Sequence, residues 1–404
     1  MRFNRPGRRL WHMRLPKERE QIPALSQVTY LDNAGAGLPP TRVTDAMKKF
    51  LEDWSAKGEH WDAWMEDVVE TRRLFGSLVG AKREEIGVLP SVSVAISSVA
   101  SALDLSKRKK VVTSSLNFPT NVMMWQRMRE SGILGEVSVL RPKGGMVPLE
   151  AYEKAIDDNT AVVAVDYVSW FSGARENIRE IANLAHRRGA LLLVDSFHAL
   201  GVFPFDAKKD GIDVLVSGFY KWLCGPHGIA CVYVDRNHLG DLRPSYLGWL
   251  GVEGNVVERQ LAGRDPFDVP FPLDSAEPAA TAARFEWGTW ATVCVVGAIE
   301  AMRFALENGL SYRYNRIRKL RERIQEGYSD MGLKTITPSP ESNQGSGIVS
   351  FRTRRQQKLV QALMKRKLVV SGRFGSIRAS PHFYNLPEEA DELLGALGSI
   401  LRKS

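Results

Sequence analysis

Cysteine is scarce in this chain, with three residues, Cys224, Cys231 and Cys294, among 404. They cannot all pair, and their spacing has no metal-ligand pattern, so the sequence supports neither a disulfide framework nor a structural zinc site. His186 and His198 stand twelve positions apart without a third ligand, so the metal expectation is none. A reduced, cytoplasmic compartment is the expectation that follows. Long apolar runs are also missing. No segment reaches the roughly 18 residues that suggest a membrane span. Nor does an apolar stretch follow the early arginines, as a secretory signal would require. A GK[ST] phosphate loop is absent, and GAGLPP at 35–40 ends in proline, which breaks a dinucleotide fingerprint. Internal repeats and low-complexity segments are lacking too.

What remains is ordinary globular material, 44% hydrophobic and 25% charged, in a chain long enough for two or three domains. The formal charge of +9 is concentrated at the start, where residues 1–20 hold seven Arg/Lys against two Glu. A nucleic-acid arm or a transit peptide has this composition, and so does a solvated arm that packs on a partner subunit, the reading adopted here. Elsewhere the excess is too thin for a nucleic-acid groove.

After an arm at 1–28, YLDNAGAGLPP reads as a short strand and a Gly/Pro turn. Residues 41–55 have helical periodicity, with Thr41 or Thr44 available as a cap. From about residue 86 short β-rich runs alternate with amphipathic stretches. IGVLP precedes SVSVAISSVASAL, KVVTS precedes NVMMWQRMRES, and AVVAVDYVS precedes NIREIANLAHRRG; LLLVD, DVLVS and IACVYVD follow. That rhythm predicts an α/β fold with a mostly parallel sheet of about seven strands and helices on both faces. Residues 29–289 form the expected large domain. Helical stretches, the strand GIVSFRT and a closing helix make 290–404 a smaller α+β domain.

Ligands in such sheets gather at the carboxyl ends of strands. Asp195 closes LLLVD, and Lys221 follows 26 residues later, after DVLVS, in SGFYKWLCGPHG. An unpaired ammonium at the end of a buried strand is costly, so a lysine placed there asks for a chemical reason. Carboxylate and amine side by side point to pyridoxal 5'-phosphate, the amine holding the aldehyde as a Schiff base and the aspartate keeping the pyridine nitrogen protonated. His198 lies against the cofactor or fills its loop. The turn LPSVSVAIS supplies Ser93 and Val94 at a helix start for the phosphate, while Ser91 serves equally as a plain N-cap. Ser217 and Tyr220 offer further hydroxyls, Ser169 sits at another strand end, and Phe118 either stacks on the pyridine or packs in the core. Arg378, in SIRASPHFYN, suits an amino acid's α-carboxylate, or it holds two domains together. Asn33 and Trp249 join it as substrate-binding candidates, with Arg373, His382 and Tyr384 as further pocket candidates.

Five blocks in order resemble the class V aminotransferases, pyridoxal phosphate enzymes of fold type I that include cysteine desulfurases, selenocysteine lyases, kynureninase and isopenicillin N epimerase-like proteins. They are YLDNAGAGLPP, VDSFHALG, GFYKWLCGPHG, RFEWGT at 284–289 and RASPHFYNLPEEADEL, and the likeness spans roughly residues 29 to 400. The resemblance implies a homodimer, because RFEWGT looks like the segment whose Gly288 and Thr289 reach a neighbouring subunit's phosphate. It implies an amino-acid substrate held by Arg378. The departures from desulfurases matter as much. Their loop before the substrate arginine carries a nucleophilic cysteine, whereas VVSGRFGSIRAS is shorter and has none. Trp170 stands where they have an asparagine, Phe118 where they have a stacking histidine, and one extra residue separates Ser217 from Lys221. The expected activity is therefore an aminotransferase or amino-acid β-lyase. Epimerisation, or desulfuration (or selenocysteine lysis) through an unusual thiol such as Cys224, is the alternative; a non-catalytic binding or assembly role is the alternative from another class.

Overall fold

The computed structural model describes residues 16–402 except 269, 272, 275 and 343. Most of the arm expected at 1–28 lies outside them. Its remainder forms two 3-10 turns, Lys17–Gln21 and Pro23–Ser26, that bury Ile22 and Leu25 in the main core of this chain. Arg19 pairs there with Glu389 at 2.8 Å.

Among the described residues, twelve strands and eleven α-helices follow. The strands are β1 (Thr29–Tyr30), β2 (Ile86–Leu89), β3 (Lys110–Ser114), β4 (Glu136–Leu140), β5 (Thr160–Asp166), β6 (Leu191–Asp195), β7 (Val214–Gly218), β8 (Ala230–Val234), β9 (Val349–Arg352), β10 (Leu368–Val369), β11 (Ser371–Arg373) and β12 (Ser376–Ala379). The first seven helices are α1 (Thr41–Lys57), α2 (Trp61–Val79), α3 (Val92–Ala102), α4 (Pro119–Glu130), α5 (Leu149–Ala155), α6 (Ile178–Arg187) and α7 (Val256–Leu261). The last four are α8 (Thr292–Asn308), α9 (Leu310–Asp330), α10 (Gln356–Met364) and α11 (Pro387–Arg402).

Seven strands form one sheet in the order β2-β8-β7-β6-β5-β3-β4. Only β8 runs against its neighbours. The short link 219–229 explains it, since a parallel return needs a crossover of a dozen or more residues. Because strand side chains alternate, Val163, Val165, Leu192, Val194 and Leu215 enter one core, and Val162, Ala164, Leu193, Val214 and Val216 enter another on the opposite face. Helices α2, α5, α6 and α8 cover the first face, and α3 with α4 the second. Burial on both faces is why these strands read as continuous apolar runs.

The sheet β11-β12-β9 packs with α9, α10 and α11 around a third core that includes Ile324, Phe351, Leu359, Ile377 and Leu393. The opening strand joins this part: β1 pairs in parallel with β10, and Asp32 bridges to Ser380. Meanwhile α8 lies against α1 and α2. Neither threonine caps α1; Pro40, whose fixed φ suits an extended entry, occupies that position, and Thr44 Oγ1 donates back to Thr41 O at 2.9 Å. Ser91 does cap α3, accepting from the Val94 N–H at 3.2 Å.

Candidate active site

Adjacent parallel strands β6 and β7 bring the two charged residues together. Asp195 closes β6, and Lys221 lies three residues past the end of β7 in a tight turn where Cys224 takes φ +58°. The opening loop packs directly on this turn. Gly37 N donates to Tyr220 O at 2.7 Å, and a Cβ at Gly37 would sit 1.9 Å from the Lys221 carbonyl oxygen, so only glycine fits.

Lys221 is buried, its Nζ 2.8 Å from His198 Nε2 and 4.1 Å over the Phe197 ring. Burial draws its amine down to about 8, against the opposing pull of Asp195. Burial likewise holds His198 well below its ordinary value, with Lys221 and Arg378 adding to the effect. Trp222 Nε1 donates to His198 Nδ1 at 3.4 Å, so the neutral ring carries its proton on Nε2, facing the Lys221 amine.

Behind Asp195 stands a second carboxylate that sequence reasoning missed. Asp166 ends β5 directly opposite Asp195, with the same apolar-run-then-aspartate signature. Asn121 Nδ2 donates to both, at 2.6 Å to Asp166 and 3.3 Å to Asp195, while Asn121 Oδ1 is without a partner among the described residues. Burial and the Asp195 charge push Asp166 well up. Burial also raises Asp195, while the Phe197 N–H (2.9 Å) and Lys221 oppose that. Phe118 N donates to Asp166 at 2.6 Å, and its ring, 42% exposed, lies beneath Lys221 Nζ at 5.6 Å.

Arg378 on β12 is fully buried and held by three donors: Nη2 to Asp32 (3.1 Å), Nε to Ser371 Oγ (3.1 Å) and Nη1 to Trp170 O (2.8 Å). Its counter-ion Asp32, 346 residues away in sequence, was not anticipated. Asn33 is committed to scaffolding instead, donating to Ser380 O at 2.8 Å and accepting from the Tyr384 hydroxyl. His382 stacks on Tyr384 at 4.6 Å, and both are buried behind the Lys221 turn, with His382 Nε2 3.0 Å from Trp222 O. They do not line an open pocket.

The other candidates divide. Val94, Gly288 and Thr289 line one cavity of about 140 Å³ with Pro90, Gly228 and Trp287. Ser93, exposed at the start of α3, reaches Thr120 Oγ1 at 3.5 Å. Glu286 anchors the Gly288–Thr289 segment: it is buried and accepts from Arg72 (2.8 and 3.1 Å), Val88 N (2.8 Å) and Trp290 Nε1 (2.8 Å). Tyr220 stacks on His227 at 3.9 Å and meets Phe197 edge-on at 4.9 Å. Ser217 donates to the Gly218 carbonyl at 3.3 Å, and Ser169 receives the Ser172 N–H at 3.3 Å in a turn, so both are spent locally. Trp249 belongs to an aromatic cluster with Trp61 (5.9 Å) and Phe271 (6.1 Å), rather than to the Lys221 group.

Burial raises all three thiols, Cys224 to about 12. Among the described residues no cluster of His, Cys, Asp and Glu could hold a metal ion, and no helix is long and apolar enough to cross a membrane.

Comparison with known proteins places this geometry in context. The family described as "Aminotransferase class-V" matches residues 29–393. An uncharacterized aminotransferase, YcbU, of Bacillus subtilis is 30% identical over 376 residues, covering 93% of this chain and 95% of that protein. A probable cysteine desulfurase of Pyrococcus abyssi is 25% identical over 413 residues, covering 96% and 98%. The apo structure of a cysteine desulfurase from Thermococcus onnurineus superposes with a TM-score of 0.84 at 24% identity, covering 97% of this chain and 99% of that one, and shares the fold.

Proposed function

The chain belongs to the class V aminotransferase family, enzymes whose cofactor is pyridoxal 5'-phosphate, and from that premise we propose that it withdraws the Cα proton of an α-amino acid with Lys221, as an aminotransferase or amino-acid β-lyase. The observation that carries this reading is the buried Lys221 amine, drawn down to about 8 and hydrogen-bonded to a neutral His198. An amine titrating near the working pH serves as nucleophile and then as general base.

The residues present fit the cofactor. Lys221 would hold its aldehyde carbon and Asp195 its ring nitrogen, with Phe118 and His198 flanking the ring. For the phosphate, α3 offers the N–H groups of Val92 and Ser93, since Ser91 takes up that of Val94. Ser93 and Tyr220 are the nearby hydroxyls, Ser217 being spent on the Gly218 carbonyl. When bound, the cofactor supplies an electron sink for charge released at Cα.

Each remaining task falls to this chain's own side chains. Arg378, preset by Asp32, Ser371 and Trp170, keeps two of its five N–H groups for a substrate α-carboxylate. Lys221 Nζ accepts the Cα proton, and the Nε2–H of His198, facing that nitrogen, disfavours its charged form. Asp195, supported by the Phe197 N–H and by the nearby Lys221, is the carboxylate that would face the cofactor's ring nitrogen. Desulfuration through a cysteine is disfavoured, since burial keeps the Cys224 thiol protonated and only a thiolate attacks sulfur.

We also read the chain as a homodimer, with Gly288 and Thr289 serving the partner's phosphate site; the division expected at 29–289 and 290–404 is crossed by β1, which pairs with β10 of the smaller part, and by α8, which packs on α1 and α2 of the larger. Arg19, Ile22 and Leu25, packed on this chain, support counting residues 16–28 with the body of the protein. The activity test follows bound-cofactor absorbance while single amino acids are added, with product analysis. A keto acid with an aminated cofactor identifies transamination; ammonia released over many turnovers identifies elimination. No spectral change across the panel refutes the proposal.

A further inference from the structure

We propose that Arg373 is a second substrate-binding cation, so that the enzyme's substrates are amino acids whose side chain ends in a carboxylate or a similar acid. This rests on the amino-acid reading above and specifies its substrate class.

The argument begins with the hairpin. In the register of β11 and β12, Ser371 faces Arg378 and Arg373 faces Ser376. Side chains alternate along a strand, so Ser371, Arg373, Ser376 and Arg378 all stand on one face. That face is the one turned to the site, because Arg378 reaches Ser371, Asp32 and Trp170 from it. Arg373 is the diagonal neighbour of Arg378, two pairs nearer the hairpin tip, at a backbone separation of about 7–8 Å.

The two guanidiniums differ in company. Arg378 already has the Asp32 carboxylate at 3.1 Å. Arg373 spends one N–H on the Gly372 carbonyl at 2.9 Å, and among the described residues no carboxylate pairs with it. A guanidinium left beside a second cation without a counter-ion is electrostatically costly, and an acidic ligand removes that cost. Burial lowers Lys221 and Arg378 first, and the Arg373 charge adds to both, consistent with its standing over the same space.

The tip supplies the apolar part. Phe374, 70% exposed and at φ +41°, meets Trp170 edge-on at 5.5 Å. Trp170 meets Phe118 at 5.5 Å, the ring beneath Lys221. Three rings therefore line the way from Lys221 to the residue next to Arg373. An aliphatic side chain laid along them, ending in an acid at Arg373, would cover the exposed rings and exclude water from the ion pair, which strengthens it.

Calorimetry on the holoenzyme tests this without turnover, using glutarate and its monoamide as unreactive probes. Wild type should bind the diacid about tenfold or more tighter, the range of a hydrogen bond to a charged group. Arg373→Gln should bring the two probes to near-equal affinity, with Arg373→Lys retaining part of the preference. Equal affinity in wild type overturns the proposal. So does a preference that survives in Arg373→Gln, or an equal loss for both probes, which would make Arg373 the α-carboxylate site. Borohydride labelling on the same preparation separates the two readings: a labelled Lys221 with no diacid preference sinks only the substrate class, whereas an unlabelled Lys221 sinks the catalytic assignment.

Discussion

Replacing Arg72 by methionine would test whether the segment carrying Gly288 and Thr289 is held by one buried ion pair. Glu286 has no exposed side-chain surface, and Arg72 meets it through two N–H groups at 2.8 and 3.1 Å. Methionine keeps the volume of the arginine stem but leaves a buried carboxylate facing only the Val88 N–H and the Trp290 indole. Removing one partner of such a pair costs about 3–5 kcal/mol, most of it the penalty of the stranded charge. At about 2 °C per kcal/mol for a large chain, the apparent Tm should fall by about 6–10 °C. Thermal unfolding at matched scan rate is the assay. The double variant Arg72→Met/Glu286→Gln should recover part of the loss, because the neutral amide removes the stranded charge and its single carbonyl oxygen still accepts from one of the two remaining donors. A single variant within about 2 °C of wild type, or a double variant no better than the single, refutes the reasoning.

Reconstitution of apoprotein with pyridoxal phosphate should accelerate with pH around a midpoint near 8, where the Lys221 ammonium gives up its proton; a midpoint near the ordinary lysine value of about 10.4 contradicts the burial argument. Arg378→Gln should raise KM by about 10-fold or more with a smaller effect on kcat, as steady-state kinetics would show. Cys224→Ser should leave activity within about twofold of wild type, and loss of sulfide release in that variant would instead revive desulfuration. A clasp far from the site is pH-sensitive: Asp213 sits between His186 (2.8 Å) and His238 (3.1 Å), whose values it raises while its own is lowered. The raised histidines stabilise fully below about 6.5 and lose that contribution as pH rises through their folded values. Asp213→Asn should therefore cost more stability near pH 6 than near pH 8.5 in urea titrations, and an equal cost at both would contradict the assignment.

The parallel sheet was legible because strands buried on both faces leave uninterrupted apolar runs, and LLLVD and DVLVS carry no competing helical period. Lys221 and Asp195 stood out because a charge ending such a run must be explained by chemistry. Asp166 bears the same mark in AVVAVD and was passed over, since nothing local says that β5 lies beside β6. Asp32 was invisible as the partner of Arg378 because that contact depends on β1 pairing with β10 across the whole chain. Asn33 looked like a substrate residue by its place in the opening block, yet Tyr384 and Ser380 occupy its amide. Glycine 37 shows the reverse case: its backbone approach to Lys221 is written in the sequence only as one more glycine of GAG.

Borohydride reduction of the reconstituted holoenzyme, followed by peptide mapping, tests the central claim most directly. The account predicts one pyridoxyl group per chain, on Lys221, and none in an Asp195→Ala protein reconstituted at low cofactor concentration. A label on any other lysine, or none on wild type, would contradict it.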